Sequence, residues 1–239
     1  MKLIFIGLLS IVSIVGLAQQ QVEISDPNAK SRILNGSFSA ITVSDGIVLY
    51  LSAGDQESIA VSFSDAKYEE RFKTEVENGV LKIYFDNNGF NWNTNVKRKL
   101  TAYVSYKELK KLYASGGADV IVPVPVKVDN LEMKFTSGTQ FTGKITANEL
   151  EVIQNSGSQI DMSGSALKIN IEASSGALFK GYDLAVDYCT AKATSGGAIR
   201  ISIKKELDAK ANSGGAIRYI GEAIIKEVDV HSGGIVKRS

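Results

Sequence analysis

Seven Ser-Gly pairs recur at near-equal steps through the second half of the chain, and no other feature restricts the fold as severely. They begin at Ser115, Ser137, Ser156, Ser175, Ser195, Ser213 and Ser232, with spacings of 22, 19, 19, 20, 18 and 19 residues. A unit this short cannot hide an apolar face by itself. Stacked copies can, because one core then runs through all of them.

The residues around each pair fall into columns. Six, four and two positions before the serine stand Leu131, Met133 and Phe135 in one copy and Ile169, Ile171 and Ala173 in another. Cys189, Ala191 and Ala193 follow, then Leu207, Ala209 and Ala211. Four positions after the serine comes a further apolar column: Phe141, Ile160, Phe179, Ile199, Ile217 and Val236. This period of two is that of a strand with every second side chain turned inward. Each copy therefore reads as strand, turn, strand, with glycine taking up a backbone conformation that a Cβ penalises. Turn glycines interrupt every stretch long enough for a helix. The predicted class is all-β, a parallel β-helix whose coils stack at about 4.8 Å, so that seven span roughly 30 Å.

Upstream the pattern is looser but still strand-like. Phe38, Ile41, Val43, Ile47, Leu49 and Leu51 read as one hairpin-like stretch around the turn signal Asp45-Gly46, and Asn78-Gly79 is a stronger signal before Val80 to Phe85. Asp65 caps a short predicted helix reaching Phe72. The stretch Asp86 to Asn95, which holds Trp92, reads as an exposed loop. Ala40 to Leu49 matches Lys111 to Val120 in pattern, which suggests a degenerate early coil. The expected division is residues 34–110 as a less regular β lobe and 111–239 as the β-helix, after a linker at 19–33.

Residues 1–18 carry Lys2, an apolar run from Leu3 to Val15 and the small-residue ending Gly16-Leu17-Ala18. That is the pattern of a secretory signal peptide, and the run is short of the roughly twenty residues a span needs. Export with cleavage after Ala18 is expected, to the periplasm, cell surface or medium, with an uncleaved anchor as the alternative. No membrane span is expected in the mature chain. Lys and Arg number 27 against 26 Asp and Glu, so no global field attracts nucleic acid. The lone Cys189 cannot form an internal disulfide, which leaves the core to hold the fold.

Three segments carry a family resemblance. Phe38-Ser-Ala-Ile-Thr-Val, Val76-Glu-Asn-Gly-Val-Leu-Lys-Ile and Leu109-Lys-Lys-Leu-Tyr-Ala-Ser-Gly-Gly-Ala-Asp-Val, followed by repeated Ser-Gly turns, resemble the putative auto-transporter adhesin head GIN domain family. The likeness covers nearly all of residues 34–239. It implies a right-handed parallel β-helix, exported by Bacteroidetes-type bacteria, with no established enzymatic activity and no catalytic residues to carry over.

Calcium-built β-rolls need Gly-Gly-x-Gly-x-Asp in tandem, and only Asp119 and Asp161 fall near a turn. One His and one Cys are too few for a zinc site. No cofactor is expected. His231 fills the turn slot held elsewhere by Thr194 and Asn212, and Cys189 sits in an inward column. A β-helix lyase or glycosidase needs clustered carboxylates, but Asp119, Asp161, Asp183 and Asp187 do not share a column.

The remaining surface feature is basic. Five residues after the turn serine stand Lys180, Arg200, Arg218 and Lys237, a predicted outward ladder. Neighbouring unit charges at coil spacing repel by about 0.9 kcal/mol in water, so the ladder can exist unliganded. It also suits a linear anion such as an acidic glycan, because guanidinium forks match carboxylate and sulfate. The turn residues Thr136, Asn155, Ser174, Thr194 and Asn212 are expected to bond from coil to coil. The function expected is non-catalytic binding of an envelope or extracellular polysaccharide or protein. A glycan-cleaving enzyme and a structural module assembling through its coil ends, as a homo-oligomer, are the alternatives.

Overall fold

The computed structural model describes residues 26–88 and 98–239. The expected signal peptide and most of the Trp92 loop lie outside them. Within them the chain is a β-solenoid of about seven coils. The long strands Asp119–Phe135, Gln140–Gln154, Gln159–Ala173, Leu178–Ala193 and Ala198–Ala211 pair in parallel, each with the next. Ala216–Ile220, Ile224–Val230 and Ile235–Arg238 complete the C-terminal end.

The turns explain the period. Both central residues have positive φ, as in Ser175 at 51° and Gly176 at 74°, and Ala177 N–H donates back to Ser174 C=O at 3.0 Å. These are type I′ turns, which demand positive φ at both positions. Each turn also bonds to the next: Gly138 N–H donates to Ser156 C=O, Gly157 to Ser175 and Gly196 to Ser213, at 3.0–3.1 Å. The first pair differs from the sequence reading. In that turn Gly116 and Gly117 are the positive-φ residues, and Ser115 takes the place that Thr136 holds one coil later.

The inward columns are core, as their spacing predicts. Ile41, Leu112, Met133, Val152, Ile171, Ala191, Ala209 and Val228 lie in one register line. All but Val228 are buried. The alternation slips where two outward residues adjoin, at Asn148-Glu149, Leu167-Lys168 and Asp187-Tyr188. At these points the strand bends to close the coil.

The early coil is present. Ala40–Val43 pairs with Lys111–Ala114 in the register of the sequence match, Ala40 to Lys111, and Val48 pairs with Asp119. Ala40–Val43 and Val48–Ala53 do not form the expected hairpin. They pair with other segments on both sides, so Asp45-Gly46 is a coil corner whose Gly46 N–H donates to Gly116 C=O. Locally a coil corner and a hairpin turn are identical; only the distant partners differ. Asn78-Gly79 does join an antiparallel hairpin, Phe72–Glu77 with Val80–Phe85. The predicted helix shrinks to one 3₁₀ turn, Ala66–Tyr68, with Asp65 accepting from Lys67 N–H. It goes no further because Phe72 is 0 % exposed at the start of a strand.

At the N-terminal end the stack is covered by antiparallel strands. Ser58–Phe63 pairs with Leu100–Tyr106, and Lys30–Arg32 with Ser58–Phe63.

Candidate binding face

Coil stacking turns a sequence offset into a line across the surface. Thr142, Asp161, Lys180, Arg200, Arg218 and Lys237 follow one another in register. Lys180 is half-buried and the other three cations are exposed. The expected ladder is therefore a row of four cations on consecutive coils.

Its neighbours make that row unusual. Elsewhere the outward columns set opposite charges on adjacent coils: Lys168 with Glu149 at 2.9 Å, Lys192 with Glu172 at 3.5 Å and Lys205 with Asp187 at 2.7 Å. Lys210 meets Glu227 at 3.3 Å and Lys226 meets Glu206 at 2.7 Å. None of Lys180, Arg200, Arg218 and Lys237 forms an ion pair among the described residues. Asp161 ends the row in register with Lys180 without bonding to it. Exposed pairs contribute little to stability, so pairing elsewhere matters mainly because it cancels the field. Along this line four cations on consecutive coils lack a carboxylate partner, whereas the other unpaired lysines of the long strands, Lys127, Lys134, Lys144 and Lys204, do not follow one another in register.

Followed the other way, the same line reaches Ile121, Tyr50 and Tyr103. The two tyrosine rings stack with centroids 5.3 Å apart and planes 13° from parallel. The sequence reading missed them. Tyr50 was findable, because it stands five residues after Asp45 as Lys180 stands five after Ser175. Tyr103 follows no turn and has no such signal. Its hydroxyl donates to Asp26 at 3.1 Å, and burial first and that carboxylate second push its pKa up to about 12.

The other candidates resolve into structure. Cys189 lies between Ile169 and Leu207 in register, 4 % exposed, and burial pushes its thiol up to about 12. A thiol so held stays protonated at physiological pH and is a poor nucleophile. His231 is exposed, sits 2.6 Å from Asp229 and accepts Gly234 N–H on its backbone, as a turn residue does. Asp119 aligns with Gln140 and Asp161 with Thr142, Asp187 is paired to Lys205, and Asp183 has no register partner. Among the described residues no three His, Cys, Asp or Glu side chains gather as a metal site.

The polar turn residues do less than expected. Thr136 donates its hydroxyl to Asn155 Oδ1, but from coil to coil the turns are joined mainly by backbone bonds such as Thr194 N–H to Ala173 C=O at 2.9 Å.

Comparison with known proteins places this architecture. The family model described as "Putative auto-transporter adhesin, head GIN domain" matches residues 37–223. A crystal structure of a putative adhesin from Bacteroides fragilis superposes with a TM-score of 0.80 at 16% identity, covering 88% of this chain and 96% of that one. A putative adhesin from Parabacteroides merdae gives 0.66 at 20% identity, covering 90% and 97%. A protein from Parabacteroides distasonis described as a putative lipid binding protein gives 0.59 at 20% identity, covering 90% and 98%. At these identities the likeness is one of fold. No curated protein matches the chain.

Proposed function

Since the chain belongs to the family described as "Putative auto-transporter adhesin, head GIN domain", we propose that it is a non-catalytic exported binding protein of the cell envelope, and that its ladder face holds an anionic glycan. The observation that carries this reading is the row Lys180, Arg200, Arg218 and Lys237, four cations on consecutive coils without an ion pair, beside columns in which Lys168, Lys192, Lys205, Lys210 and Lys226 meet carboxylates.

The geometry supports a linear ligand running along the solenoid axis. Successive cations stand one coil, about 4.8 Å, apart, a pitch that an extended polysaccharide chain can follow with its carboxylate or sulfate groups. Guanidinium groups at the two central positions supply paired donors, and the lysines at either end supply point charges. Tyr50 and Tyr103 lie on the same line, where aromatic rings offer apolar faces to sugar rings. Export is part of the same proposal, because an adhesin head works outside the cytoplasm.

A broad glycan array probed with the purified protein tests the ligand class. Binding confined to sulfated and uronic-acid glycans, and lost with added salt, is the expected result. No binding, or binding to neutral glycans alone, rejects the anionic-glycan reading.

A further inference from the structure

The C-terminal coil exposes the cross-section of the core. Five of the eight large apolar side chains exposed among the described residues lie there: Ile224, Ile225, Val228, Val230 and Ile235. Most continue inward columns. Ile225 stacks on Leu207, Val228 on Ala209 and Val230 on Ala211. Leu207, Ala209 and Ala211, with a coil on either side, are 0–1 % exposed, whereas Ile225, Val228 and Val230 are 39%, 47% and 41% exposed. Ile224–Val230 and Ile235–Arg238 each pair along one edge only, so backbone N–H and C=O groups of the other edge face solvent along the axis.

We propose that this coil is a self-association surface that takes a second copy of the chain, end to end about a two-fold axis. Three observations choose that occupant. First, the end is balanced in charge: Glu222, Glu227 and Asp229 stand against Lys226, Lys237 and Arg238. An identical end therefore brings no net repulsion, while an anionic membrane finds no net attraction.

Second, the patch is apolar in either copy: Ile225, Val228 and Val230 continue the core columns of Leu207, Ala209 and Ala211, so an identical end offers each of them an apolar surface and an open strand edge. Third, the opposite end of the stack is edged by charged strands, Lys30–Arg32 with two cations and Phe72–Glu77 with Lys73, Glu75 and Glu77. Charged edges resist strand addition, so head-to-tail growth is disfavoured. The tail-to-tail contact uses the same patch on both copies and closes at two. The two surfaces meet at Lys237, but the proposal does not rest on the glycan reading.

Sedimentation equilibrium of the purified protein over a concentration series tests it. A reversible rise from one to two chain masses, with a plateau at two, is expected. Ile235→Lys and Val228→Glu should each weaken dimerisation at least tenfold, with far-UV circular dichroism unchanged. Because an end-coil variant can also fray the coil, amide hydrogen exchange of Ala198–Ala211 in the dilute single-chain form separates the two effects: a frayed coil exposes that strand in the single chain, and a lost contact does not. One chain mass at every concentration up to the solubility limit, growth past two, or dimerisation undiminished in both variants overturns the proposal.

Discussion

Two adjacent glycines separate turn strain from coil stacking. Gly196 has φ 74° and a Cβ built there meets nothing within 4 Å. Its substitution by Ala costs only the left-handed backbone, roughly 1–2 kcal/mol, less about 0.4–1 kcal/mol recovered from the stiffer unfolded chain. The net is about 1 kcal/mol. At Gly197 a Cβ would lie 2.2 Å from Ala173 O and 2.6 Å from Ala173 C, on the coil beneath.

No flexible side chain can yield there. The coils must part locally, at a point where Thr194 N–H donates to the same Ala173 oxygen at 2.9 Å. Overpacking of about 1–3 kcal/mol and a weakened backbone bond of about 0.5–1.5 kcal/mol then add. After the same unfolded-state offset, Gly197→Ala should destabilise by about 2 kcal/mol, within a range of roughly 0.5–4 kcal/mol. Equilibrium urea unfolding followed by far-UV circular dichroism measures both variants. The expected order is wild type, Gly196→Ala, Gly197→Ala. A Gly197→Ala variant no weaker than Gly196→Ala would refute the stacking geometry.

Other outcomes follow from buried groups. Burial raises Cys189 from 9.0 to about 12 and Tyr106 from 10.0 to about 12. Both are neutral when protonated, so their protonated forms hold the fold, and stability present below pH 9 is lost as pH rises toward 12. In alkaline titrations of thermal midpoint, Cys189→Ala should move the onset of loss from about pH 9 to about pH 10, where Tyr106 begins; an unmoved onset contradicts this. Gln154 is 1 % exposed with both amide atoms unpartnered, in register with Phe135 and Ala173. Unpartnered buried polar groups cost about 1–3 kcal/mol, so Gln154→Leu should raise the thermal midpoint, by about 2–4 °C per kcal/mol gained. A lowered midpoint would mean that the amide has a partner or that leucine does not fit.

The parts of the fold legible in sequence are those where one residue type does one physical job. Positive φ at two adjacent turn positions selects Gly and tolerates Ser, so the Ser-Gly period announces the coils, and the inward columns follow from their fixed offset. Pairing partners are not local, which is why Asp45-Gly46 looked like a hairpin and Val80–Phe85 gave no sign of lying against Ala40–Val43. The Asp65 cap was legible and the length of its helix was not, because the demand of Phe72 for the core ends it.

For the candidate face, the period put Lys180, Arg200, Arg218 and Lys237 in a line. Their lack of carboxylate partners was not readable. It depends on bends and bulges that decide which outward columns oppose each other, such as the shift between Gly181 and Ala185 in the twenty-residue coil.

The ladder is tested most directly by a matched pair of double variants on sulfated and uronic-acid polysaccharide columns. Arg200→Ser with Arg218→Ser removes two unpaired cations, and Lys192→Ser with Lys210→Ser removes two that are paired to Glu172 and Glu227. Both variants change net charge equally, so a general electrostatic effect would shift retention equally. The account predicts a large loss of retention, and a shallower dependence on salt, for the arginine variant alone. Equal losses in the two variants, or unchanged retention of the arginine variant, would contradict it.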